Sequence, residues 1–481
     1  MTEVCDLTAT VLRREILAGN LSPVELMESC LERIASVNDA VNAVVAIDSE
    51  RALATARRAE KAVRDGDAMG LLHGLPLAIK DLEDTVGLRT TYGSLLYENH
   101  VPERDHLAVG KARAQGGIVV GKTNTPEFGA GANTRNRVYG ATGNPFDPKL
   151  TCGGSSGGSA VALACSMVPL ASGSDYGGSL RTPASFCGVV GFRPSPGVVP
   201  SDTRPVALSP FSVLGAMGRT VADAALLLAA QAGGNRHDPL SLRYQPDLAE
   251  PLAPADLGKL RVAISTDLGA APIDPAIRKV FTGKTGQFRH VFAETQDRDP
   301  DLGPVHDVFE IIRGVTFVAA HGERVKHHRD RLDVNVIDNT ERGLDLDAAD
   351  IAWAQVEQSN LYRRVMDMFD EVDILICPAA AVSPFPHEQL FVEEIGGETM
   401  PTYMRWLAIT YGLTMATLAV CAVPCGVDDR GLPFGIQVAG PTGADRLVLE
   451  VAHALEAFFR DVPSLARPVP GLDQLTKKGS L

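Results

Sequence analysis

Lys80 closes the apolar run GLPLAIKD (74–81), and two Gly-Gly-Ser turns follow it: GGSSGG at 153–158 and DYGGS at 175–179. A serine hydroxyl is a weak nucleophile at its own pKa and attacks a carbonyl only when a base takes its proton. No histidine lies near either turn. A buried, neutral lysine serves instead, because desolvation lowers a lysine pKa to about 5–6 in the extreme. The second turn offers consecutive backbone N–H groups at Tyr176, Gly177, Gly178 and Ser179. Such a nest suits a developing oxyanion. The chemistry open to these residues is attack by the Ser179 hydroxyl on a carbonyl, with Lys80 as base.

The segment between the turns must bring their serines together. Serine and glycine ahead of SAVALACSM predict a helix of about ten residues from near Gly157, rising about 15 Å. VPLASGS then returns as a strand of about 20 Å. That path puts Ser179 on the same sheet edge as Ser155. LPLAIK, GIVVGKT, VPLASGS and GVVGFR read as buried strands bounded by Gly and Pro, with HLAVGKARAQG as a helix among them. KLRVAIS and DILICPAAAV read as later strands, RTVADAALLLAAQAGG and GADRLVLEVAHALEAFF as later helices. This alternation specifies an α/β fold class with a mostly parallel or mixed sheet. We expect one domain over residues 1–481. It comprises a helical N-terminal arm (1–66), a core carrying the turns (71–200) and a charge-rich, mainly helical section (284–370).

Other motifs carry other chemistries. GGIVVGKT (116–123) satisfies the phosphate-loop pattern by letter, but Ile118, Val119 and Val120 make it a strand rather than the loop after one. GGSSG (153–157) fits the G-x-S-x-G elbow, which would make Ser155 the nucleophile of an esterase. That reading needs a strand before the turn, where NPFDPKLTC supplies two prolines. His321, His327 and His328 lack the H-E-x-x-H spacing and read as a solvated helix face. No metal site is expected.

With 481 residues, 45% of them hydrophobic and 22% charged, the chain has the balance of a globular protein with a large core. Its net charge of −14 argues against nucleic-acid partners and anionic membrane surfaces. The N-terminus lacks a signal-peptide pattern, and no run is long enough for a spanning helix. The eight scattered cysteines, Cys421 and Cys425 included, read as buried reduced thiols, so a cytoplasmic location is expected.

Taken together, these residues resemble the amidase signature family of serine hydrolases. The resemblance rests on GLPLAIKD (74–81), GKTNTPEF (121–128), GGSSGGSA (153–160) and DYGGSLRTPA (175–184), in that order. GAMGRTVADAALLL (215–228), DILICPA (373–379) and GLPFGIQVAGP (431–441) extend it over essentially the whole chain. It implies a large central mixed sheet with helices on both faces. It also implies a Ser–cis-Ser–Lys triad with Ser179 as nucleophile, Ser155 as the bridging serine after a cis peptide bond, and Lys80 as base. Gly129, Ala130 and Asn133 fall in the stretch that lines the acyl pocket in relatives, with room for a bulky or aromatic group. Asp175, Arg181, Asn124 and Glu127 brace the motifs. Tyr176 departs from the pattern, standing where many relatives carry a small residue. No cofactor is required, and the expected partner is a small amide or carbamate (urethane). The alternative is the amidase subunit of a tRNA-dependent amidotransferase. The oligomeric state stays open, with a homodimer among the choices.

Overall fold

Ser22 caps the helix Pro23–Val41, its hydroxyl accepting from the Val24 amide at 2.9 Å, and Pro23 fills the first turn, where no amide donor is needed. With Ala9–Leu17 and Ser49–Asp65 this makes the N-terminal arm largely helical. The computed structural model describes residues 3–241 and 246–476, so the first two residues of the expected arm lie outside it.

The arm is not helical throughout. Val44–Ile47 forms a strand, β1, between two of its helices. Four residues are too few for an alternating pattern to register against helical flanks. Apart from two small two-stranded hairpins (Arg135–Asn136 with Gly140–Ala141, Glu394–Ile395 with Glu398–Thr399), the remaining strands are β2 (Pro76–Lys80), β3 (Ile118–Thr123), β4 (Leu170–Asp175), β5 (Val190–Arg193) and β6 (Val213–Gly218). They continue with β7 (Arg261–Ile264), β8 (Glu294–Asp297), β9 (Ile374–Pro378), β10 (Ala419–Val427) and β11 (Pro433–Gly440). All belong to one 11-stranded sheet in the order β1-β3-β2-β4-β6-β5-β10-β11-β9-β7-β8.

The sheet is mixed, as the resemblance implies. Strands β3, β2 and β4 run parallel, as do β9, β7 and β8, and the pairs between these blocks are antiparallel. Both faces are covered. Leu77 and Ile79 enter one hydrophobic core while Ala78 enters another, and Val119 is likewise opposed to Ile118 and Val120. A strand buried on both faces shows a continuous apolar run rather than alternation, which is how PLAIK and IVVGKT read. The 284–370 section supplies β8 and the long helices Val305–His328, Val334–Leu344 and Ala348–Phe369.

The helix after the first serine turn spans Gly157–Ala164 and is wholly buried. Its first turn lies against main chain: a Cβ on Gly158 would stand 2.3 Å from the Asn124 amide nitrogen and 2.7 Å from the Ala43 carbonyl oxygen. Backbone cannot retreat as a side chain can. Gly158→Ala is therefore expected to lower unfolding stability by about 1–3 kcal/mol through overpacking, read as a reduced denaturation midpoint. An unshifted midpoint would show that the β1–β3 junction yields easily.

All eight cysteines are free and buried. Among the described residues no helix is long and apolar enough to cross a membrane.

Candidate active site

The parallel register of β2 and β4 (Leu77 beside Leu170, Ala78 beside Ala171) brings their carboxyl ends to one edge of the sheet. Ligands in open α/β sheets bind outside such ends. Lys80 is the last residue of β2 and has no exposed surface. Its Nζ lies 2.7 Å from Ser155 Oγ, 2.9 Å from Ser156 Oγ and 2.9 Å from Ser174 Oγ. Each proton of the ammonium thus has a hydroxyl acceptor. In the neutral amine one of these bonds reverses, and Nζ accepts from a hydroxyl. Burial pushes the Lys80 pKa down to about 7, against the weaker opposing pull of Glu83 and Asp175.

Ser156 and Ser174 are direct partners of this lysine that the motif reading misses. Ser156 stands at the cap position of the helix Gly157–Ala164 but makes no side-chain cap bond to it. Its hydroxyl is turned to Lys80 and to the main chain of Ser174. The peptide bond between Gly154 and Ser155 is cis.

The second turn is fixed by a buried carboxylate. Asp175 Oδ1 accepts from the Gly178 amide at 3.0 Å and from Arg181 Nη2 at 2.9 Å. Its other oxygen accepts from the Leu180 amide at 3.0 Å and Arg181 Nε at 3.1 Å. Arg193 adds a third cationic contact, at 3.1 Å. Burial alone would raise the Asp175 pKa, but the two guanidiniums hold it well below the usual carboxylate range. Asp175 and Arg181 do brace the motif.

This arrangement corrects the expected oxyanion nest at one position. The Gly178 amide is committed to Asp175, so it does not join a common N–H cluster with its neighbours. Gly178 instead supplies a backbone φ of 119° and leaves space for Thr410, whose Oγ1 would lie 2.3 Å from a Cβ there. Among the described residues no hydrogen bond takes up the Gly177 and Ser179 amides. The Ser179 carbonyl accepts from the Ser156 amide at 3.1 Å and ties the two serine turns together.

Ser155 and Ser179 open into one cavity of about 180 Å³. Gly129 reaches it, and a Cβ on Gly129 would come within 3.3 Å of Ser155 Oγ. Ala130 and Asn133 do not line it. Ala130 packs with Phe317, Val325, Leu332 and Val336 in a small separate core. Asn133 spends its side chain on the His387 and Gln389 carbonyls and on Thr151, anchoring a loop. The Tyr176 ring forms wall, its hydroxyl 3.4 Å from Thr316 Oγ1 and its centroid 6.0 Å from that of Phe309 in a T-shaped pair.

Much of the opposite wall comes from one stripe of the Val305–His328 helix: Arg313, Thr316, Phe317, Ala320 and His321. Steps of three and four residues place such positions on one helical face. That spacing is visible in the sequence, but nothing local says which face meets the serine turns. His321 is accordingly not part of a solvated face. It is buried, its ring centroid 4.7 Å from Phe128 and 5.3 Å from Phe317. Burial, then Arg324 and Arg313, lower its pKa to about 3, so it is neutral near pH 7.

The family model described as Amidase matches residues 25–449. The chain belongs to the amidase signature family. An acylamidase of Rhodococcus erythropolis is 32% identical, with 94% of this chain and 95% of that protein covered. A glutamyl-tRNA(Gln) amidotransferase subunit from Acaryochloris marina is also 32% identical, covering 92% of this chain and 96% of its own. Among solved structures, a bacterial aryl acylamidase of the family superposes with a TM-score of 0.88 at 26% identity, covering 98% of both chains. A 6-aminohexanoate cyclic dimer hydrolase gives 0.83 at 25% identity, covering 99% of this chain and 100% of its own.

Two other readings of this amidase-family chain end differently. The elbow reading of Ser155 lacks its strand, since only isolated bridges at Leu150 and Thr151 stand directly before the turn. GGIVVGKT is β3, and its Lys122 is sealed inside the protein rather than set in a phosphate loop. Lys122 Nζ donates to Thr85 Oγ1 and Thr90 Oγ1, each at 3.0 Å, and to the Glu83 carbonyl. Glu83 is buried between the two lysines, and its carboxylate accepts from Ser172 Oγ at 3.0 Å. Ser172 in turn accepts from the Lys80 amide at 3.0 Å, which fixes the backbone that carries this lysine.

Proposed function

We propose that this protein hydrolyses amide C–N bonds, with aryl amides and aryl carbamates as its substrate class, through an acyl-enzyme on Ser179. The observation that carries the reading is the fully buried Lys80 amine, 2.7 Å from the Oγ of Ser155, which lines the same cavity as Ser179. The Ser179 hydroxyl attacks the carbonyl while its proton passes to Ser155, and the Ser155 proton passes to neutral Lys80. The Gly177 and Ser179 amides stabilise the oxyanion of the tetrahedral intermediate. An amine leaves poorly as an anion, so Lys80 returns the proton through Ser155 to the departing nitrogen. Water repeats the relay to release the acid. The cavity walls of Phe128, Phe317 and Tyr176 support an aromatic substituent.

A hydrolysis panel tests this: a primary amide, an anilide, a p-nitrophenyl ester and an aryl carbamate, with fluorophosphonate labelling located by peptide mapping. We expect anilide turnover by the chain alone and label on Ser179. Label on Ser155, or a chain inert toward simple anilides until amidotransferase partners are added, would overturn the reading.

The base must be neutral to act, so pH dependence follows. kcat/KM for the anilide should rise as pH increases through about 7, where Lys80 loses its proton. A profile flat from pH 5 to 9, about two units either side, would remove Lys80 from the proton path.

A further inference from the structure

Arg313 is buried in the cavity wall yet has no acidic partner. Its Nε donates to Asn339 Oδ1 at 2.8 Å and its Nη2 to the Tyr403 hydroxyl at 2.7 Å, both neutral groups. Among the described residues no carboxylate comes within the 4.0 Å of an ion pair with this guanidinium. Aromatic faces surround it instead: Phe317 at 4.4 Å, Tyr176 at 5.4 Å, Tyr403 at 5.8 Å and Phe309 at 6.0 Å from the guanidinium carbon. Buried charges are ordinarily paired, because desolvating an ion without a counter-charge is costly. Cation–π contact offsets only part of that cost.

The third nitrogen, Nη1, has no partner among the described residues. It is not among the sealed, unpartnered atoms, unlike Nε and Nη2 of Arg193. What remains open of Arg313 therefore faces the cavity that holds Ser155 and Ser179. The other arginine of this wall, Arg204, is already neutralised by Asp238 at 3.0 Å. Among the described residues no aspartate or glutamate lines the cavity. The site thus combines an aromatic box with one uncompensated cation, and its hydrogen-bond fork has one free tine.

We propose that Arg313 is a specificity residue that binds an anionic group on the substrate, so that the natural amide carries a carboxylate on its aromatic acyl portion. The ring lies between Phe128, Phe317 and Tyr176, and the carboxylate accepts from Arg313 Nη1. This deepens the amidase reading above and rests on it.

The test compares benzanilide with its 3- and 4-carboxy derivatives, the carboxyl on the acyl ring. A charged hydrogen bond of this kind corresponds to about tenfold to hundredfold in kcat/KM. The wild-type protein should prefer one carboxylated anilide by that factor, and methyl esterification should abolish the preference. Arg313→Met should collapse the ratio, and Arg313→Lys should keep part of it. A wild-type measurement needs no variant: the carboxybenzamide with its carboxylate at the preferred ring position should slow fluorophosphonate labelling of Ser179 at lower concentration than benzamide. Equal wild-type kcat/KM on charged and neutral anilides, or equal protection by the two benzamides, would overturn the proposal. So would a parallel fall on both substrates in Arg313→Met, which is the mark of a purely structural arginine. Failure of the amidase reading looks different, since neither anilide would then be cleaved.

Discussion

Lys80→Met is expected to lower anilide kcat/KM by about 10³-fold or more, within the range for loss of a general acid–base group. The fall should be at least about tenfold smaller for a p-nitrophenyl ester, because nitrophenolate leaves without a proton. The difference follows from what Lys80 is asked to do. In the proposed mechanism it accepts a proton by way of Ser155 during acylation, and on collapse of the intermediate it gives that proton to the leaving nitrogen. An activated ester needs only the first step. The substitution should leave the protein folded, since Lys80 is already buried and its charge is already disfavoured. Near-ultraviolet circular dichroism checks this alongside the kinetics. Equal losses on the two substrates would mean that Lys80 holds the serines in place without carrying protons. Wild-type turnover of the anilide would remove it from the mechanism.

Asp175→Asn should destabilise the fold by about 3–5 kcal/mol, the cost of leaving buried partners of an ion pair uncompensated. Arg181 and Arg193 have no exposed side-chain surface, so neither guanidinium can turn to water. The carboxylate also accepts the Gly178 and Leu180 amides on either side of Ser179. The turn bearing Ser179 should therefore loosen, and activity should fall together with the denaturation midpoint. The pH dependence has a definite sign. The folded-state pKa of Asp175 is depressed below its ordinary 3.8. Its contribution is complete above that value and is lost as pH falls below it toward the folded-state pKa. The wild-type protein should accordingly lose stability in acid more steeply than Asp175→Asn. An unchanged midpoint in the variant would show that this cluster braces nothing.

The motifs carried the chemistry because that chemistry is short-range. A nucleophile in a glycine turn, a serine ahead of a helix and a lysine at a strand end are each written within a few residues, and GLPLAIKD, GGSSGGSA and DYGGSLRTPA spell them out. The strands of the core were legible for the same reason: PLAIK and IVVGKT are buried on both faces and therefore continuously apolar. The short strand β1 was not, because its four residues show no period and its place at the sheet edge depends on pairing with β3 far along the chain.

Which atoms share one cavity is settled only by the folded chain. Burial lowers the Lys80 pKa to about 7, which a solvated strand end would not show, and burial is a property of everything packed around it. Gly178 is written beside Gly177 in the same turn, yet one amide is consumed by Asp175 and the other is left open. Ala130 and Asn133 sit one and four residues from Gly129 and face elsewhere. Arg313 and His321 belong to a helix that nothing local ties to the serines, and only the fold of the intervening chain turns that face toward them. The reacting groups can be read along the chain, because local turns hold their chemistry. Their protonation, their open hydrogen bonds and the walls around them come from packing, because these depend on contacts between residues hundreds of positions apart.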